Sequence, residues 1–212
     1  MPKIKLPHKS PHIDMTPMVD LFSLLLIFFV LTATWTPQDP TPVDTPFSVS
    51  EKPTPDFNNM TVLLAKDGRV FFNIDNGTDT LLQYRRKILV EMGKQYNITF
   101  TPEEWTIFEK MTSSFGVPIE KLKEFLNAKD TKVKNALEVG IPIDSLDNQL
   151  ASWVLFSRQV NPQVQVSIRG DGKTEFPVVK KVLDIFGQKN VYRFNLITSL
   201  EAVKVTEAKT QQ

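Results

Sequence analysis

The chain has 212 residues, a net charge of +1 and no cysteine. Near neutrality gives no electrostatic argument for a nucleic-acid partner, and the missing cysteines exclude disulfides and thiolate metal sites. His8 and His12 are the only histidines, and both lie in the N-terminal tail. A histidine-based catalytic triad or zinc site in the bulk of the chain is therefore excluded, and no metal or cofactor is expected.

Residues 1–17 read as a short basic tail. Lys3, Lys5 and Lys9 stand against Asp14, and Pro2, Pro7 and Pro11 interrupt any long helix. Met18 to Trp35 (MVDLFSLLLIFFVLTATW) is apolar from Leu21 to Leu31 apart from Ser23, and it carries one ionisable residue, Asp20. Its 18 residues of helix would rise roughly 27 Å, close to the thickness of a bilayer's hydrocarbon, so 18–35 is predicted to be a single transmembrane helix. Thr16 and Pro17 read as an N-cap followed by Pro at the first helical position, which puts Asp20 in the first turn.

A carboxylate in such a segment costs about 2.5–3.5 kcal/mol at the helix centre and less towards an end, so Asp20 is a functional candidate by default. Two plainer readings compete. Asp20 could be a first-turn acid answering the helix dipole at headgroup level. The segment could also be a cleaved signal peptide, although an acid opens it and Thr32-Ala33-Thr34 is a poor cleavage site. At 100° per residue, Thr16, Asp20, Ser23, Ile27, Leu31 and Thr34 share one stripe, so the hydroxyls of Thr16, Ser23 and Thr34 lie on the face of the acid. A lone helix has no interior, and a polar stripe in lipid calls for partner helices from other chains. The lysines before the span and the absence of any basic residue from there to Lys52 put the N-terminus in the cytoplasm and the remainder outside. In a bacterium with two membranes that outside is the periplasm.

Residues 36–56 form a Pro-rich linker, with Pro37, Pro40, Pro42, Pro46, Pro53 and Pro55. Fully extended it would reach roughly 65 Å. Phe47-Ser48-Val49-Ser50 alternates apolar and polar and reads either as a short edge strand or as plain spacer.

From residue 57 the chain reads as a folded α+β domain. Met60–Lys66 and Val70–Asp75 are predicted strands joined by Asp67-Gly68, a strong hairpin signal. A helix over Ser145–Val160, with Leu146, Leu150, Val154 and Leu155 inward, precedes a strand at Val164–Ile168. A helix at Phe176–Gly187 and a strand at Tyr192–Thr198 complete a β-β-α-β-α-β order. Between the halves, 76–142 reads as a helical insertion with segments at Thr80–Tyr96, Pro102–Ser114 and Pro118–Ala128, the second opened by a Thr101/Glu104 capping box. The basic clusters Arg85-Arg86-Lys87 and Lys129, Lys132, Lys134 are expected on solvated helix faces. Nothing in this domain looks catalytic, and Arg169-Gly170-Asp171-Gly172 reads as a turn after a strand.

Ile13-Asp14-Met15-Thr16-Pro17-Met18-Val19-Asp20, followed by Leu24-Leu25-Leu26-Ile27-Phe28-Phe29 and Thr32, resembles the membrane segment of the ExbD/TolR family of biopolymer-transport proteins. Residues 61–73 (TVLLAKDGRVFFN) resemble that family's first outer hairpin, and 166–198 its last strand-helix-strand unit, with Pro177 a departure. The insertion at 76–142 is a larger departure and suggests a specialised partner surface. The resemblance implies a non-enzymatic proton-channel or motor subunit in the bacterial inner membrane, with Asp20 as the proton-carrying residue. It implies a homodimer of this chain within a pentamer of a multi-span ExbB/TolQ-like protein. Proton motive force would then reach the outer membrane through a TonB-like or TolA-like protein. Its rivals are a passive anchored binding or scaffold module, and a Tol-Pal-type envelope-maintenance motor.

Overall fold

The computed structural model describes residues 14–33, 39–48, 57–77, 81–144 and 147–200. It divides into two compact units, Met1–Pro37 and Gln38–Gln212.

The first unit is helix α1, Thr16–Thr32. It starts two residues before the predicted span and stops three residues short of its end. The cap also differs from expectation. Met15 is the N-cap residue, Thr16 is already helical, and the Asp14 carboxylate accepts from the Thr16 N–H at 3.0 Å and from its hydroxyl at 2.6 Å. The reason is chemical: a carboxylate just before the helix answers its free N–H groups better than a hydroxyl does. Asp20 is consequently one residue deeper in the helix than the sequence reading put it. At seventeen residues α1 rises roughly 25 Å against a hydrocarbon core of about 30 Å. Among the described residues no helix is long and apolar enough to cross a membrane.

The second unit is built on a four-stranded sheet in the order β3-β2-β4-β5. Strands β2 (Asn59–Leu64) and β3 (Val70–Ile74) form the predicted hairpin. Gly68 takes φ +83°, and Asp67 accepts from the Arg69 N–H at 3.1 Å, which is why Asp-Gly turns here. Strand β4 (Gln165–Gly170) lies parallel to β2, and β5 (Phe194–Ile197) lies parallel to β4. The register aligns Met60, Val62 and Leu64 with Ile74, Phe72 and Val70, and places Val166 and Ile168 opposite Met60 and Val62. All of them are buried in the main core. Leu63, Ala65 and Phe71 alternate with them, face the other way and pack against Val43.

Helices α6 (Gln149–Val160) and α7 (Phe176–Gln188) contribute to the main core. Helix α6 is capped by Asn148, whose side chain accepts from the Ala151 N–H at 3.0 Å. Leu150 and Val154 are buried as expected and Leu155 is half-buried, while Ser145 and Leu146 lie outside the described residues.

Among the described residues the insertion carries four helices: α2 (Tyr84–Tyr96), α3 (Pro102–Lys110), α4 (Ile119–Asn127) and α5 (Thr131–Leu137). The capping box of α3 is present in both directions, whereas α5 has no counterpart in the sequence reading. Helix α3 ends at Lys110 rather than Ser114 because Phe115 is claimed by the sheet. Phe72 and Phe115 exchange backbone hydrogen bonds of 2.8 and 2.9 Å, and the Ile141 N–H donates to Val70 at 2.8 Å. The insertion thus closes the β3 edge, an open edge being a liability. Its aromatics also complete the core, with Trp153 lying 5.7, 6.1 and 5.2 Å from the rings of Phe72, Phe108 and Phe115.

Candidate functional site

On α1 the first question is where the polar atoms go. The Ser23 hydroxyl donates back to the Val19 carbonyl at 2.8 Å, and Thr32 does the same to Phe28 at 2.8 Å. Both are satisfied within the helix, which is how hydroxyls persist in apolar surroundings. The Thr16 hydroxyl is held by Asp14. Among the described residues no hydrogen bond or ion pair reaches the Asp20 carboxylate. Asp20 and Ser23 lie three residues apart on one side of the helix, with Thr16 a turn before Asp20 and Pro17 in the first turn. Thr34, the last residue of the predicted stripe, lies outside the described residues.

No side chain of α1 is buried, and its large apolar residues from Met18 to Leu31 are between 46 and 80% exposed. Soluble helices keep one apolar stripe facing a core. This one is apolar on nearly every side.

The outer domain holds the remaining charged constellations. Arg85 corrects the expectation of a solvated basic face, for it is 3% exposed. Its Nε donates to the Ile74 carbonyl at 2.7 Å, Nη1 to the Phe108 carbonyl at 3.3 Å and Nη2 to the Asn73 side chain, and its guanidinium sits 5.7 Å from the Phe108 ring. Burial pulls its pKa down to about 10, with Asp75 pulling the other way, so it stays charged at neutral pH and joins β3 to α3. Lys87, Lys129 and Lys132 are exposed as expected.

Sequence reasoning also missed how residues 39–48 dock on the domain. Asp39 pairs with Arg169 at 2.5 Å, and the Asp171 carboxylate accepts from the Asp44 N–H at 3.1 Å. Gly172 N–H donates to the Asp44 carbonyl at 2.9 Å, and β1 (Phe47–Ser48) pairs in parallel with β6 (Ser199–Leu200). Backbone N–H groups of Lys173 and Asp44 hold the Asp171 carboxyl below its ordinary range. The proline spacing gave no sign of these contacts. The 47–50 alternation was the one legible signal. Among the described residues no cluster of side chains is arranged to hold a metal ion.

The chain thus combines a helix that is apolar on nearly every side and carries a single acid with an α+β domain whose hairpin and strand-helix-strand unit share one sheet. The family model described as Biopolymer transport protein ExbD/TolR matches residues 7–201, and the chain belongs to this family. Such proteins are transport-associated and in general anchored in the inner membrane, working with ExbB/TolQ and TonB/TolA partners. Among curated proteins and among solved structures no significant match to the chain was found.

Proposed function

We propose that the chain is the proton-carrying subunit of an inner-membrane motor, and that Asp20 takes up and releases the proton. One observation supports this above all: an acid with no partner among the described residues, on a helix whose apolar side chains are exposed. Protonated, Asp20 is neutral and tolerable beside apolar neighbours; ionised, it needs water or a polar partner. Each proton transfer therefore changes which neighbouring surface α1 prefers. A charge crossing the full membrane potential releases about 2.3 kcal/mol per 100 mV, several times RT, enough to bias a rotation or tilt.

In this reading α1 is the core of a single span with its N-terminus in the cytoplasm. A helix somewhat shorter than the bilayer is accommodated by local thinning at modest cost. Thr16 and Ser23 share the acid's side of the helix, and two copies of the chain sit within a pentamer of an ExbB/TolQ-like protein. The periplasmic domain passes the work to a TonB-like or TolA-like protein and so to energy-dependent transport at the outer membrane.

Asp20→Asn tests the reading. It keeps the size and removes the titration, so co-purification with the multi-span partner should persist while energy-dependent transport falls to background. Transport that survives Asp20→Asn, or that survives exchange of α1 for an unrelated span, would leave a passive anchored module instead.

A further inference from the structure

The insertion carries a groove that none of the contacts above uses. It runs along about two turns of α2, where Val90, Gly93 and Asn97 form the floor, and it is walled by Ile98, Phe100 and Trp105. Its volume is about 640 Å³, within the usual range for ligand sites and mostly apolar. Gly93 is required for its shape, since a Cβ there would meet the Ile98 carbonyl at 2.5 Å and the Phe100 ring at 3.3 Å.

Cations stand beside the groove, one of them paired with the Glu91 carboxylate. Arg86 stacks on the Trp105 ring at 4.8 Å and Lys123 lies 5.9 Å from the Phe100 ring, so both aromatic walls carry a cation. Lys94 lines the groove as well, held by Glu91 at 2.6 Å with its side chain 66% exposed. That contact is weak and exchangeable. The nearby acids are engaged or turned away. Glu104 accepts from the Thr101 N–H and from Asn127, Glu103 borders a separate surface depression with Ile107, and Glu109 borders the polar cleft beside Arg85.

From this geometry we infer that the groove is a docking site for a linear peptide segment of a partner protein, one carrying a bulky apolar side chain next to an aspartate or glutamate. The apolar side chain fills the space between Val90, Phe100 and Trp105. The carboxylate meets Arg86 or Lys94 at the rim, where the ring beneath Arg86 keeps its guanidinium in place for a two-pronged contact. Both halves are needed: apolar burial supplies affinity, and the cationic rim selects against neutral or basic neighbours of the anchor.

The inference is independent of Asp20 and is tested with the full chain in nanodiscs. A displayed library of random peptides is selected on the wild-type chain, with Val90→Glu as counter-selection and thermal unfolding used to establish that the variant is folded. Enriched peptides should pair a large apolar residue with an adjacent acid. Arg86→Gln should weaken them at least tenfold, and a similar loss should follow replacement of the peptide acid by its amide. Enrichment without an acid, binding unaffected by Val90→Glu or Arg86→Gln, or no enrichment at all would overturn it. So would displacement of the peptides by submicellar dodecanoate with no dependence on the peptide acid, which would make the groove a lipid site.

Discussion

Helices α1 and α6 invite comparison because both are rich in apolar residues and both carry a serine bonded back to the turn before it. Helix α6 buries Leu150, Ala151, Trp153 and Val154 in the domain's own core, whereas α1 buries nothing. Local chemistry does not separate them: Ser157 donates to Trp153 at 2.6 Å much as Ser23 donates to Val19. What separates them is the arrangement of polar residues. Helix α6 carries Arg158 and Gln159 near its C-terminal end, and these let one side meet water. Helix α1 has only Asp20 and Ser23 as polar residues between Pro17 and Thr32, so no side of it suits water as the end of α6 does.

The most damaging single change in the outer domain is at Trp153. Its ring fills the space between sheet and insertion with no exposed area, so Trp153→Ala should cost about 3–5 kcal/mol of domain stability. Leu25→Ala in α1, where no neighbour in the chain is lost, should leave domain unfolding within about 0.5 kcal/mol. Denaturant melts of the two variants measure the contrast directly.

Arg85 comes next. Arg85→Met would strip donors from the Ile74 and Phe108 carbonyls and from Asn73, at a cost of about 2–4 kcal/mol. Arg85→Lys should recover only part of it, since an ammonium cannot reach three acceptors in a planar fork. Thermal unfolding of both variants reads the difference.

Glu138 makes the stability of the outer domain depend on pH. Burial lifts its pKa to about 7, with Arg69 and Lys134 pulling it back down. The folded state therefore holds this proton more tightly than the unfolded chain, in which the group titrates near 4.5. The stability it lends is complete below that unfolded value and is lost as pH rises through about 7. Glu138→Gln should flatten the pH dependence of unfolding across this window. It should also stabilise the domain at pH 8 by roughly 1 kcal/mol, because solvent and Arg69 already offset much of the cost of the buried charge.

The smallest effect is expected at the docked segment. Asp39→Asn removes a pair whose two side chains are each about one-third exposed, so unfolding should change by less than about 1 kcal/mol, and less still at high salt. A loss well above that would mean that residues 39–48 are integral to the domain.

Much of the outer domain could be read in advance from particular residues. Asp67-Gly68 between two apolar runs specified the hairpin, Thr101 and Glu104 specified the start of α3, and the spacing in 176–187 specified α7. The misses share a physical cause. Helix α3 stops at Lys110 because Phe115 bridges to Phe72, a contact between residues 43 positions apart. Arg85 looked solvated because its neighbours are charged, yet its acceptors come from β3 and α3. The docking of Asp39 and Asp44 on Arg169 and Asp171 spans more than a hundred residues, beyond the reach of any local pattern.

Periodicity, capping and turn chemistry act over a few residues, so local patterns already specify an apolar helix with a single acid and an α+β domain after it. Long-range packing sets the rest: the insertion seals the sheet edge and shares its core, Arg85 is buried, and an apolar groove lies between α2 and α3. Those outcomes depend on which distant surfaces meet, and burial free energy settles that over the whole fold rather than along the chain.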